Sequence, residues 1–130
     1  MKTILTQLPE AELDLMQCLW EAGCPVERKY CCEALWPAHR WAPTTVLTML
    51  SRLTKKGYVK AEKDGGRSLY SAAVSRGEYL DYVNGSFLHR LYKGSFGNMV
   101  AAMADSGEVS SKDIEELETL IRRLKEEGKP

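Results

Sequence analysis

The side chains in this sequence best suited to chemistry are hydroxyl and cationic groups spaced along one predicted helix. On a helical wheel they share one face, formed by Thr44, Thr45, Thr48, Ser51, Arg52 and Lys55. The opposite face is apolar and consists of Val46, Met49, Leu50 and Leu53. Threonine can contact base edges, and arginine and lysine can bind phosphates or guanine. The pattern is therefore typical of a helix that is held by a core and reads nucleic acid with its polar face.

The elements around this helix predict how it is positioned. Pro43 suits a first helical turn and Gly57 suits the position after the last one, so the helix runs for about four turns. Residues 58–62 and 68–73 can then pair as strands across residues 63–67, a loop that contains two glycines and is flanked by Lys63 and Arg67. A helix followed at once by a basic hairpin predicts a winged helix.

The charge of the chain is local rather than global. The sequence has 18 basic and 18 acidic residues, so bulk attraction to a polyanion is absent. Residues 39–67, however, contain seven basic and two acidic residues, a net charge of +5. Solvated surface lysines would be the ordinary explanation of such a count. The shared face of cations and hydroxyls favours a double-stranded DNA partner instead.

The elements before the predicted reading helix are two further helices. The first begins at Pro9 and ends at Gly23, with a predicted buried stripe of Leu13, Met16 and Trp20. The second covers residues 27–35 and ends at Trp36-Pro37, with Tyr30, Ala34 and Leu35 predicted to face inward. Residues 1–75 thus form a predicted winged-helix DNA-binding domain.

Residues 76–130 read as helices alone, and we predict that they form a helical dimerisation domain. Ser110 with Asp113 predicts a capping box at the start of the last helix, which Gly128 ends. The predicted dimerisation residues are Leu80, Val83, Phe87, Leu91, Phe96, Ile114, Leu117, Ile121 and Leu124, and a shorter apolar stripe is Met99, Val100 and Met103. Two or three helices cannot enclose this much apolar surface within one chain, whereas a second copy can. The alternative is that they pack back on the first domain as one globule.

The overall fold class is therefore mainly α with a small β-hairpin wing. The cysteines are Cys18, Cys24, Cys31 and Cys32; their spacings match no zinc or thioredoxin pattern, which favours reduced packing thiols and leaves a thiol sensor as the alternative. The two histidines lie far apart without motif partners, and no phosphate-binding loop is present, so the sequence predicts no enzyme, cofactor or metal. No long apolar run and no targeting pattern are present, which predicts a cytoplasmic protein.

Several segments together resemble the penicillinase-repressor family, the BlaI/MecI-type winged-helix repressors. They are residues 8–16 with Leu19-Trp20, residues 44–53 with Lys56-Gly57, Tyr70-Ser71, Phe87-Leu88, Leu91-Tyr92, residues 94–96 and residues 115–117. The resemblance covers nearly the whole chain and implies a homodimer that binds inverted repeats in promoters and blocks transcription. It also implies that Thr44, Thr45, Thr48, Arg52 and Arg67 contact DNA. In β-lactam-responsive members, a membrane sensor with a protease domain triggers cleavage of the repressor.

The chain also departs from the family pattern. Leu47 occupies a position of the recognition helix that is polar in some relatives. The cleaved dipeptide of the β-lactam-responsive members is Asn-Phe, whereas alignment through residues 94–96 places Ala102-Met103 there. No cysteine follows Cys32, unlike the copper-responsive relatives. The inducing signal stays open, and a winged helix that binds only protein is a further alternative.

Overall fold

The computed structural model describes residues 5–128 of the chain, which form six helices and one two-stranded antiparallel sheet. The elements in chain order are α1 (Glu10–Ala22), α2 (Arg28–Leu35), α3 (Pro43–Lys56), β1 (Val59–Asp64), β2 (Arg67–Ala72), α4 (Arg76–Tyr92), α5 (Phe96–Asp105) and α6 (Ser111–Glu126). The predicted order of three helices, a hairpin and then helices alone is confirmed. In the described residues, no helix is both long enough and apolar enough to cross a membrane.

Helix α1 ends where the sequence predicts, but its buried face is broader. Gly23 has a φ of 67° and its N–H donates to the Leu19 carbonyl at 3.2 Å, which closes the helix. Met16 is fully buried, whereas Leu13 and Trp20 are only half-buried. Leu13 and Trp20 nevertheless pack against the core, so the predicted stripe faces the core, with only Met16 of the three fully buried. Because α2, α3 and β2 all contact α1, its deepest side chains also include Leu15 and Leu19.

The inward face of α2 also differs from the prediction. Tyr30 is 45% exposed and Ala34 is exposed, so both were wrongly placed inward; Leu35 is half-buried. The residue that is fully buried is Cys31. Cysteine is small and apolar, so it suits a short helix that packs closely against both α1 and α3.

The hairpin is tighter than predicted. Its strands pair in register from Val59 with Ala72 to Asp64 with Arg67, which leaves only Gly65 and Gly66 in the turn. These glycines have φ of 57° and 87°, the combination of positive values that a type I′ hairpin turn requires. Two backbone hydrogen bonds between Val26 and Tyr70, of 2.7 and 2.9 Å, attach the segment before α2 to β2. The hairpin is thereby fixed to the helices.

Two buried tyrosines connect distant parts of the chain in one core. The Tyr58 hydroxyl donates to the Thr6 carbonyl at 2.7 Å and accepts from the Thr6 N–H at 2.9 Å. The hydroxyl of Tyr79, in the first turn of α4, accepts from the Leu8 N–H at 2.8 Å. The Tyr79 ring also lies 6.0 Å from that of Tyr58. The start of α4 is therefore part of this core.

The chain divides between Asn84 and Gly85 into two compact units, which we call the first and second units. In the second unit, the predicted capping box is present at the start of α6: Ser110 Oγ accepts from the Asp113 N–H, and Asp113 Oδ2 accepts from the Ser110 N–H at 2.9 Å. These bonds lower the pKa of the Asp113 carboxyl. None of the described residues 85–128 is fully buried.

Candidate nucleic-acid interface

Helix α3 separates its two faces as the sequence predicts. Val46, Leu50 and Leu53 are completely buried and Met49 is 6% exposed, so the apolar side of the helix forms part of the core. The α3 polar face is the set of exposed residues on the other side: Thr44, Thr45, Thr48, Ser51, Arg52 and Lys55. The core thus fixes the helix and leaves this face accessible over its whole length.

The hydroxyl groups on the α3 polar face differ in what they can offer a ligand. Thr48 Oγ1 donates to the Thr44 carbonyl at 2.9 Å, as threonines often do inside helices. Its proton is therefore engaged, and the Thr48 oxygen remains an acceptor. An acceptor at the centre of the face suits the amino groups of adenine or cytosine, which are donors in the major groove.

The cations of this region fall into two groups. No ion pair involves Arg52 or Lys55 anywhere in residues 5–128, so both charges are available to a polyanion. Lys56, by contrast, binds Glu12 Oε1 at 2.8 Å, and Glu12 is buried. Lys60 pairs with Glu62 at 2.7 Å on the hairpin, and this hydrogen bond raises the pKa of Lys60. The net charge of +5 counted for residues 39–67 therefore overstates the positive charge available to a ligand, because Lys56 and Lys60 are already paired with carboxylates.

The two candidate residues on the wing are both engaged within the chain. Lys63 Nζ donates to Ser68 Oγ at 2.8 Å, its partner in the strand register. Arg67 lies 3.2 Å from Asp64 Oδ2 and 3.8 Å from Glu27 Oε1. These pairs are exposed and weak, so a phosphate can replace them. Arg67 must nonetheless leave two carboxylates before it binds an anion.

A groove beside α3 contains residues that the sequence analysis missed. It has a volume of about 380 Å³ and is lined by Glu27, Arg28, Lys29, Leu47, Ser68 and Tyr70. It therefore brings together the start of α2, one flank of α3 and β2. Arg28 and Lys29 are exposed, and Leu47 is 37% exposed. The signal that could have identified the two cations is their position in the first turn of the helix before α3.

The segment that leads into α3 is held by His39. Its Nε2 lies 2.7 Å from Asp14 Oδ2 on α1, and its ring stacks on Trp41 with 4.0 Å between centroids. The adjacent Arg40 guanidinium lies 5.4 Å from the centre of the Trp36 ring. These contacts fix the direction in which the chain enters α3. His39, which the sequence left without a partner, is thus a structural residue.

The predicted dimerisation residues lie in both units. Leu80 and Val83 are half-buried, and Val83 packs against the core of the first unit. In the second unit Leu117 is half-buried, while Phe87, Leu91, Phe96, Ile114, Ile121 and Leu124 are exposed by 36% to 65%. A groove of about 380 Å³ between α5 and α6 is lined mainly by Phe96, Met99, Val100, Met103, Leu117 and Leu120.

The candidate cleavage position lies inside α5. Ala102 and Met103 are both exposed, and their carbonyls accept hydrogen bonds from the Ser106 and Glu108 N–H groups at 3.1 Å. The peptide bond between them is therefore in helical conformation. Within the part of the chain that the structure describes, no group of three histidine, cysteine or acidic residues is arranged to hold a metal ion.

Comparison with known proteins agrees with this arrangement. A model of the family described as "Penicillinase repressor" matches residues 8–123. The chain belongs to the penicillinase repressor family. The "Penicillinase repressor" of Bacillus licheniformis is 29% identical over 125 residues, which is 96% of this chain and 97% of that protein. The "Methicillin resistance regulatory protein MecI" of Staphylococcus aureus (strain N315) is 25% identical over 122 residues, covering 90% and 94% of the two chains. The resemblance inferred from the motifs is confirmed.

Two solved BlaI structures each match 60% of the chain. The B. licheniformis BlaI monomer in complex with the blaP half-operator has a TM-score of 0.51 and 28% identity, and the match covers 60% of this chain and 94% of that one. The DNA-binding domain of the repressor BlaI matches with a TM-score of 0.52, the same identity and the same coverage. The predicted winged-helix fold is thereby confirmed.

Proposed function

We propose that this member of the penicillinase repressor family is a transcriptional repressor that binds double-stranded operator DNA as a homodimer. The observation that carries the proposal is the α3 polar face, which combines exposed threonines with Arg52 and Lys55, two cations without an ion pair in residues 5–128. A helix that is buried on one side and polar on the other suits the major groove. The proposed activity places the protein in the cytoplasm with the DNA.

Within this proposal the named residues have different tasks. Thr44, Thr45 and Thr48 contact base edges, because they lie toward the start and middle of the exposed helix face. The cations Arg52, Lys55, Lys63 and Arg67 bind phosphates. Phosphate contacts position the protein, whereas base contacts decide the sequence.

The test of DNA binding is an anisotropy titration of the full chain against duplexes with and without two symmetric half-sites. We expect tight binding to the symmetric duplex, with strong salt dependence because several phosphates are neutralised. Thr45→Ala should then reduce discrimination between operator and scrambled duplex by about 1–3 kcal/mol per lost base contact. A flat salt response, or equal binding to every duplex, would favour the alternative of a winged helix that binds only protein.

The second unit supports the proposal of a homodimer. Its six helical-face residues Phe87, Leu91, Phe96, Ile114, Ile121 and Leu124 are large, apolar and exposed in the single chain. Scattered exposed apolar residues are ordinary, but a set of this size, with no fully buried residue among the described residues 85–128, favours a partner surface. A second copy related by two-fold symmetry also supplies a second α3 helix, and an inverted repeat requires one such helix for each half-site. The proposed boundary between the DNA-binding and dimerisation functions stays near residue 75, although Tyr79 at the start of α4 still completes the core of the first unit.

Sedimentation of the full chain at micromolar concentration tests the dimer. We expect twice the chain mass for the wild type. Ile121→Asp, which places a charge on an exposed apolar position, should give a monomer that keeps half-site binding. Glu118→Asp, on the same helix, is the matched control and should remain dimeric. A monomeric wild-type chain would contradict the homodimer and leave the DNA-binding proposal to the duplex titration.

Release from DNA requires a signal, and proteolysis by a sensor-linked protease is the family's route in a β-lactam response. The Ala102-Met103 bond is a poor substrate, because it lies in a helix and lacks the Asn-Phe side chains. We expect no cut at this bond when the purified chain is incubated with such a protease. A fragment that ends at Ala102 would contradict this expectation and would support the proteolytic route.

A further inference from the structure

Leu47 is an apolar side chain on the exposed side of α3, where its neighbours are polar. It is 37% exposed, whereas the four apolar residues of the opposite side are at most 6% exposed. Three positions before it and four after it lie Thr44 and Ser51, its neighbours on the helix surface and both members of the α3 polar face. Among the described residues of the first unit, the only other exposed large apolar side chains are Tyr30 and Trp36, which lie outside α3.

The position of Leu47 along α3 suits contact with bases. The helix begins at Pro43, so Leu47 lies in its second turn, between Thr44 and Thr48. In helix-turn-helix proteins, the N-terminal residues of the recognition helix contact base edges in the major groove. A side chain between two threonines that are proposed to contact bases therefore faces the same surface of the duplex.

The groove that Leu47 lines favours a polyanion over a protein partner. Its other lining residues are Glu27, Arg28, Lys29, Ser68 and Tyr70. Glu27 Oε1 lies 3.8 Å from Arg67 Nε, whereas no ion pair involves Arg28 in residues 5–128. One apolar side chain among cations and hydroxyls does not form the apolar centre that protein interfaces have. Cations and hydroxyls are the groups that contact the backbone of DNA.

Thymine is the base whose edge suits an apolar side chain. In the major groove it presents the O4 acceptor and a C5 methyl group, whereas the other three bases present only hydrogen-bonding atoms. The leucine side chain has neither a donor nor an acceptor. It can therefore distinguish one base from another only through apolar contact, and the C5 methyl group is the apolar group available.

We infer that Leu47 is a specificity-determining residue that contacts the C5 methyl group of a thymine in each half-site. The inference rests on the proposed DNA binding and adds an apolar contact to the threonine and cation contacts. The loss of one buried methyl group weakens binding about fourfold. In a symmetric operator bound by two copies of α3, the loss at both half-sites weakens binding about 16-fold.

The test replaces thymine by uracil, one position at a time and in both half-sites, in an inverted-repeat duplex that the full chain selects from a random pool. Uracil lacks the C5 methyl group and keeps the O4 acceptor and the base pairing. In anisotropy titrations of the wild type, we expect binding to weaken about 16-fold at one thymine position. Leu47→Ala should bind the thymine duplex more weakly and show no difference between thymine and uracil at that position.

Two further variants are controls for this comparison. Ser51→Ala changes a neighbouring exposed side chain and should keep the difference between thymine and uracil. Leu47→Met keeps an apolar side chain of similar volume and should also keep most of it. If Leu47→Ala does not fold by circular dichroism, Leu47→Gln, which is polar and of similar length, should lose the difference in its place.

The outcomes separate this inference from the proposed function. Tight operator binding with no effect of uracil at any position, or with an equal effect in Leu47→Ala, would overturn the contact and leave DNA binding intact. A selected half-site without thymine would do the same. Failure of the wild type to bind any duplex would overturn the proposed function and the inference together.

Discussion

Replacement of Arg52 by alanine tests the proposed phosphate contact, because the resulting change in the salt dependence of DNA binding can be calculated. Arg52 has no ion pair in residues 5–128 and is exposed on α3, and alanine is a good helix former. The substitution should therefore leave folding unchanged and remove only contacts to a ligand. Each lost phosphate contact makes the slope of log affinity against log salt shallower by about 0.9.

The magnitude follows from the proposed dimer. Two copies of Arg52 give a slope change of about 1.8, so between 50 and 200 mM salt the wild type should lose roughly 12-fold more affinity than the variant. On a single half-site the corresponding factor is about 3.5. Anisotropy titrations of both proteins at four salt concentrations measure these slopes directly.

A charge-matched control separates contact from net charge. Lys112→Ala removes one positive charge from the exposed start of α6 in the second unit. We expect its slope to equal that of the wild type. Equal slope changes in both variants would show that only net charge matters, and weaker binding by Arg52→Ala with an unchanged slope would assign Arg52 to a base edge. Either result would refute the phosphate contact.

Three further predictions concern the parts that hold the interface. Glu12→Gln should destabilise the chain by about 1.5–3 kcal/mol in urea unfolding, because the hydrogen bond donated by Lys56 loses its charged acceptor. Lys56→Met should cost more, about 3–5 kcal/mol, because it leaves the buried Glu12 carboxylate unpaired; the reverse order would contradict the pairing. Truncation after residue 84 should leave a folded DNA-binding fragment, whereas truncation after residue 75 removes the core side chain of Tyr79 and should give a largely unfolded one by circular dichroism. Asp113→Ala should speed amide exchange at the start of α6 at neutral pH. The folded state lowers the pKa of Asp113, so the stabilisation by this carboxylate is present above pH 3.8 and is lost as the pH falls below that value. Amide exchange at the start of α6 should therefore depend on acid pH in the wild type and not in the variant.

The sequence predicted the elements whose signals are local. Pro43 and Gly57 set the limits of α3, and its apolar spacing identified all four buried residues. The capping box at Ser110 and Asp113 was likewise readable from residue types alone. Such features depend on neighbours along the chain, which a helical wheel represents correctly.

The missed features depend on contacts between distant residues. The burial of Cys31 in place of Tyr30 follows from how α2 packs against two other helices, which periodicity in eight residues cannot specify. The pairing of Lys56 with Glu12 crosses 44 positions of the chain and removes a cation from the apparent basic surface. Tyr79 likewise belongs to the core of the first unit through a hydrogen bond from the distant Leu8 N–H, which its neighbours along the chain do not predict.

The central claim is that two copies of the α3 polar face read a symmetric operator. Selection of bound duplexes from a random pool by the full chain tests it most directly. We expect an enriched inverted repeat whose half-sites are separated by about 10 base pairs or a multiple of it. Arg52→Ala should lower the yield of bound duplex, and Thr45→Ala should broaden the selected half-site. A pool without enrichment, or one with a single unsymmetrical site, would contradict the claim.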